Sequence, residues 1–165
     1  MRRYPEPMST SRDLLRHTLA TLAYRAGKAL RGAPVGFAEF RISESSRTAG
    51  QILAHMGDLM EWALSIARGE EKWKDSKALD WGQGSDRFFA ATGALDAFLA
   101  SDAPLKVTPE RLFQGPIADA LTHVGQLTMM RRAAGGAVRG ENYFVAEVTA
   151  GRVGADQAAP RREFD

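Results

Sequence analysis

The chain has 165 residues, of which 44% are hydrophobic and 25% are charged, which is the composition of a single globular domain. This composition excludes a disordered, collagen-like or coiled-coil protein. The absence of cysteine excludes disulfides, thiolate nucleophiles, iron–sulfur clusters and cysteine zinc sites, so any bound metal must use His, Asp or Glu. The 22 Lys and Arg residues nearly balance the 20 Asp and Glu residues, and the arginine pairs are scattered, so we expect no nucleic-acid partner.

Two features of the sequence predict a soluble cytoplasmic protein without a membrane partner. No uncharged apolar run approaches the ~18 residues that span a bilayer. The segment from Met1 to Asp13 lacks the apolar stretch of a secretory signal.

Apolar residues repeat with a helical period in four segments, and no segment keeps a period of two, which predicts an all-α fold. The first segment runs from about Ser11 to Leu30. The second follows Thr48 and Gln51, whose spacing is typical of a capping box, and we expect Gly69 to end it.

The bounds of the third and fourth helices are predicted from the glycine, proline and serine residues around them. Gly82 and Gly84 favour a surface loop, so we expect Ser85 to cap the third helix and Pro104 to end it. The fourth helix is predicted to open at Gly115 and Pro116, because proline favours the first turn, and to end at the glycine pair 135–136. Residues 137–165 have no clear period and are expected to form an irregular extension.

Three histidines are the candidates for chemistry. At about 100° per residue, His17 lies opposite the apolar stripe of the first helix, which predicts a surface position. His55 on the second helix and His123 on the fourth lie at the edges of apolar arcs, on the border between core and water.

The spacing of Asp119 and His123 is compatible with a metal site. The two residues lie four positions apart on one helix face, which lets both side chains bind one ion. His55 would come from a facing helix, as in metal centres of helical bundles, and three ligands would leave a position for water. The same residues also fit a simpler interpretation, with hydrogen-bonded boundary histidines and Asp119 opposite the helix dipole. Asp58 and Glu61 fit either a solvated helix face or a place in the site.

The segments ILAHMGDLMEWALSIARG and GPIADALTHVGQLTMMRRAAG resemble the DinB/YfiT-like superfamily of metal-binding four-helix bundles. The resemblance covers about residues 11–136, and its most specific element is the H-x-G-Q sequence from His123 to Gln126, followed by Arg131 and Arg132. It implies a four-helix bundle as one domain spanning 1–165. Many members have a histidine at the position of Asp119, so the exchange leaves the metal's identity open.

The resemblance also implies a set of roles for the candidate residues. His55, Asp119 and His123 would bind a divalent metal, either Zn, Ni or Fe. Gln126 would orient a ligand or a substrate, and Asp58 or Glu61 would be a candidate base.

The characterised members of this superfamily are similar to one another in being thiol-dependent enzymes, and they include bacillithiol S-transferases and mycothiol-dependent maleylpyruvate isomerase. They imply a metal-dependent transferase or hydrolase that acts on a small molecule, with a low-molecular-weight thiol as a possible cofactor. A competing interpretation is a non-catalytic dimeric bundle that serves as a binding or scaffold protein. A third is a non-haem iron oxygenase centre, since two histidines and one carboxylate suit Fe(II).

We also expect a homodimer. Family members commonly pair through bundle helices, and the apolar arc of the second helix is wider than one core contact requires. One flank of that arc has Leu53, Met56, Met60 and Leu64, and the other has Ile52, Leu59 and Ile66.

Overall fold

The structure is a computed structural model that describes residues 10–164. Its helices are α1 (Ser11–Leu30), α2 (Ala49–Ala67), α3 (Trp81–Ala100), α4 (Pro109–Leu112) and α5 (Ala118–Ala133). In the tail, β1 (Gly140–Glu141) pairs antiparallel with β2 (Glu163–Phe164). Short 3-10 helices lie at Phe37–Glu39 and Tyr143–Val145. The fold is therefore mostly helical, which confirms the predicted all-α class. Within residues 10–164, none of the helices combines the length and the apolar character that a bilayer crossing needs.

The starts of α1 and α2 follow from local capping. Thr48 Oγ1 accepts a hydrogen bond from the Gln51 amide, and Gln51 Oε1 accepts one from the Thr48 amide, so the predicted capping box is confirmed. Helix α1 has the same arrangement with Thr10 and Asp13. Helix α2 ends at Ala67, two residues before Gly69, whose φ of +81° suits glycine.

The predicted start of α3 is wrong by one turn. The helix begins at Trp81 because the side chain of Asp80 accepts a hydrogen bond from the Gln83 amide and caps it. Ser85 is inside the helix, where its hydroxyl donates to the carbonyl of Trp81. Gly84 lies inside the helix and faces α2. A Cβ at this position would lie 3.0 Å from a methyl carbon of Leu53, which is tighter than ordinary contact, so the glycine suits the close approach of α3 to α2.

Substituting Asp80 with alanine is expected to lower the free energy of unfolding by about 1 kcal/mol, the usual cost of losing an N-cap. The matched variant Ser85→Ala is expected to cost almost nothing, because a hydroxyl that bonds back to the preceding turn does not stabilise a helix. Urea unfolding of both variants checks this. A larger loss for Ser85→Ala than for Asp80→Ala would contradict the observed helix start.

The sequence predicts a short turn of helix from Thr108 to Arg111 that is separate from the fourth long helix, and the structure confirms the turn but joins it to that helix. Helix α4 continues through a π-helical turn (Phe113–Ile117) into α5, so the helical chain starts at Pro109 rather than at Gly115. Pro116 lies inside the π turn. The wider turn accommodates a residue that has no N–H to donate. The predicted glycine end is confirmed, because Gly135 has a φ of +78° and follows the last turn of α5.

The long helices pack so that each contacts two of the others: α2 and α1 both pack against α3 and α5. The largest fully buried side chains of the core include Leu19, Leu22, Leu53, Met56, Met60, Phe88, Leu95 and Leu127. Helix α2 buries both flanks of its wide apolar arc inside this core, apart from the half-buried Leu64 and Ile66. The chain's own packing therefore explains the width of the arc, which gives no separate reason to expect a second copy.

Candidate metal centre

His55 on α2 meets Asp119 and His123 on α5 where the two helices pack. One ligand atom of each residue lies within 4.8 Å of those of the other two. Nε2 of His55 is 3.5 Å from one Asp119 oxygen, and Nε2 of His123 is 3.4 Å from the other. Both distances exceed the roughly 2.7–3.2 Å of a good hydrogen bond. They are close to the roughly 3.0–3.5 Å between neighbouring ligands of one ion with bonds of ~2.1 Å, although they involve different oxygens of Asp119, so the three residues could hold a divalent metal.

The exposure of the three side chains leaves one side of the group open. The side chain of Asp119 is 46% exposed, whereas those of His55 and His123 are 18% and 10% exposed. A depression lined by Leu59, Trp62 and Asp119 opens on the carboxylate side. An ion bound by these residues would therefore have room for a further ligand from solvent or substrate.

Gln126 fixes the orientation of the His123 ring. Its side-chain oxygen lies 2.7 Å from Nδ1 of His123, one helical turn away. Nδ1–H donates this hydrogen bond, which leaves the lone pair on Nε2, the nitrogen that faces Asp119. The H-x-G-Q spacing thus places the amide where a partner of a ligating histidine is normally found.

The surroundings of His55 favour its neutral form. Burial lowers the pKa of His55 below its ordinary value, and the charges of Arg47 and His123 lower it further, while Asp119 opposes them. The ring of Trp73 packs edge-on against the His55 ring, with the centroids 5.6 Å apart, and shields it from solvent. Neutral imidazole is the form that binds metal, so His55 is ready to act as a ligand at neutral pH.

In the metal-free protein, we expect His55 to titrate with a pKa below 6.5, the ordinary histidine value. The neutral ring is then the main form at pH 7, and the protonated ring becomes the main form only when the pH falls below the lowered pKa of His55. Titration of the imidazole resonances by NMR, with His55→Ala for the assignment, measures this directly. A pKa of 6.5 or above would contradict the described surroundings of His55.

Asp58 and Glu61 are not members of the group formed by the three candidate ligands. Asp58 is buried and accepts hydrogen bonds from Arg87 and from the Ser76 amide, and Glu61 accepts from Arg87 and Lys74. Burial alone would raise the pKa of Asp58, but these hydrogen bonds outweigh it and hold the pKa below its usual value. For Glu61 too, burial would raise the pKa, but the hydrogen bonds from Arg87 and Lys74 outweigh it. Both carboxylates therefore stay charged, and they bind the segment after α2 through Ser76 and Lys74.

The described structure adds residues that sequence reasoning missed. Arg87 on α3 organises the two carboxylates of α2, and Trp73 covers His55 from a loop. No local spacing relates either residue to its contacts, because they meet only through tertiary packing. His17 is exposed on α1, as its helical position predicted.

A scan against models of protein families and searches of curated proteins and of solved structures find no significant match to this chain.

Proposed function

We propose that the chain is a four-helix bundle of the DinB-like class and acts as a metal-dependent transferase or hydrolase on a small molecule. The proposal rests on one observation above all: one ligand atom each of His55, Asp119 and His123, from two helices, lie within 4.8 Å of one another. The packing of the four long helices, each against two others, supports the bundle architecture. The Gln126 contact to His123 supports a metal site, because ligating histidines normally donate their second N–H to such a partner.

Three residues of the chain would serve as ligands of the metal. His55 and His123 supply two neutral nitrogen ligands, and Asp119 supplies a carboxylate from the exposed side. With only three protein ligands and an open side, the site has the form of a catalytic rather than a structural centre. A divalent ion, Zn, Ni or Fe, would lower the pKa of a low-molecular-weight thiol or a water bound to it and so supply a nucleophile at neutral pH.

The test is metal-dependent turnover by the full chain. Protein loaded with each metal is assayed with a low-molecular-weight thiol and chlorodinitrobenzene for transfer, and with nitrophenyl acetate for hydrolysis. We expect one reaction to be accelerated, the acceleration to be lost with a chelator or with His123→Ala, and to be kept with His17→Ala. A protein that binds no metal and shows no chelator-sensitive rate would contradict the proposal and favour a non-catalytic binding or scaffold protein. Oxygen consumption with iron would instead favour the oxygenase centre.

The homodimer is a separate part of the proposal. It rests on the family resemblance alone, since the arc of α2 is buried by the chain itself. Sedimentation velocity at micromolar concentration is expected to give a dimer. A monomer under those conditions would remove this part and leave the metal site untouched.

A further inference from the structure

A cavity of about 420 Å³ lies directly beside the candidate centre, and His123 and Gln126 form part of its wall. The segment before α2 lines the cavity with Ile42 and Arg47, and helix α5 lines it with Met129. Its volume is within the range of small-molecule sites. A ligand in this cavity would therefore have one end at His123.

Most of the cavity wall is apolar, and two of the apolar side chains that line it are largely exposed. Ile42, on the segment before α2, is 63% exposed, and Met129, on α5, is 58% exposed. Large apolar side chains held in solvent around a cavity are typical of a surface that a ligand covers. A small inorganic anion would leave these side chains in water, so they favour a ligand with an apolar body.

Arg47 is the one charged side chain that lines this cavity. The residue is exposed, and no hydrogen bond or ion pair with another described residue engages its guanidinium. Arg41, on the same segment, instead donates to the carbonyl of Glu44. A guanidinium binds carboxylates well because its donors match the two oxygens, and at Arg47 these donors are available to a ligand.

We propose that this cavity, the Arg47 cavity, binds a small organic carboxylate with an apolar body. The carboxylate contacts Arg47, and the body lies between Ile42 and Met129. The inference rests on the proposed function, because it names the substrate class of the same site, with the bound molecule reaching His123.

The experiment measures binding by calorimetry to the full chain after chelator treatment, so that a metal contributes nothing to affinity. Octanoate is the probe, and octanamide is its neutral match. We expect octanoate to bind wild type at least about tenfold more tightly than octanamide, as a charge-assisted contact predicts. Arg47→Gln is expected to remove that preference and leave octanamide binding unchanged. The control Arg41→Gln should behave as wild type.

A second variant tests the apolar body. Ile42→Asp is expected to weaken both ligands, and octanoate more, since it removes apolar contact and adds a like charge. Because Ile42 is exposed, the variant should fold as wild type, which circular dichroism verifies. Three results would each overturn the proposal: no octanoate binding at millimolar concentration, equal affinity for the two probes, or unchanged octanoate affinity in Arg47→Gln.

The inference and the proposed function can fail separately. Arg47-dependent octanoate binding by a protein that holds no metal would refute the metal-dependent function and keep the carboxylate site. Stoichiometric metal without octanoate binding would refute the carboxylate site and keep the metal centre.

Discussion

Replacing His55 or His123 with alanine is expected to abolish stoichiometric metal binding. Each variant leaves two ligands, and a two-ligand remnant holds a divalent ion poorly, so we expect affinity to fall by more than ~100-fold. The variant Gln126→Ala removes only the partner of His123 and is expected to cost about 10- to 100-fold. Metal content after dialysis against micromolar zinc, nickel or iron measures these effects.

Variants of Asp119 test the third ligand, and a variant of His17 shows whether the loss of metal is specific to the proposed ligands. Asp119→Ala is expected to weaken binding, and Asp119→His to preserve binding and shift it towards zinc or nickel, which imidazole suits better than carboxylate does. His17→Ala is the matched control, because His17 is exposed on α1. All of these variants should stay folded, because the apolar core supplies the stability. Equal metal content in His17→Ala and His123→Ala would rule out the proposed ligand set.

The variant Arg131→Met is expected to lower the free energy of unfolding by about 3 kcal/mol. Arg131 is only 4% exposed, and it donates to four backbone carbonyls, those of Ala29, Arg31, Gly32 and Gly136. These bonds tie the end of α1 to the end of α5. Methionine keeps much of the volume but leaves the carbonyls without their charged donor.

Urea unfolding of Arg131→Met against Arg132→Met tests this role. Arg132 is the next residue and is exposed, so its substitution is expected to change stability by less than about 0.5 kcal/mol. Equal losses in the two variants would contradict a capping role for Arg131. The expected difference would show that Arg131 stabilises the fold. Its position shortly after the H-x-G-Q element does not by itself give it a role in the candidate centre.

Local signals predicted the parts of the fold that depend on neighbouring residues. The capping box of Thr48 and Gln51 and the glycine end of α5 are examples, since each needs only a few consecutive residues. The start of α3 also has a local signal, since Asp80 precedes Gln83 by three residues, but the glycines at 82 and 84 led to the prediction of a loop there. Gly84 has the propensity of a loop residue, and only its contact with Leu53 on α2 shows why the helix tolerates it.

In the candidate centre, too, one part follows from local sequence and the other depends on how the helices pack. Asp119 and His123 lie four residues apart on one helix, so their proximity follows from helical geometry alone. The distance from His55 to this pair depends on how α2 packs against α5, which spacing does not reveal. The contacts of Trp73 with His55 and of Arg87 with Asp58 likewise arise only in the packed molecule.

The most direct test of the metal centre is a crystal structure of the metal-loaded protein, with anomalous scattering collected at the absorption edge of the bound ion. We expect one peak per chain, about 2.0–2.2 Å from Nε2 of His55, Nε2 of His123 and a carboxylate oxygen of Asp119. A structure with no peak among these atoms, or with the two imidazole nitrogens more than about 5 Å apart, would contradict a shared metal site.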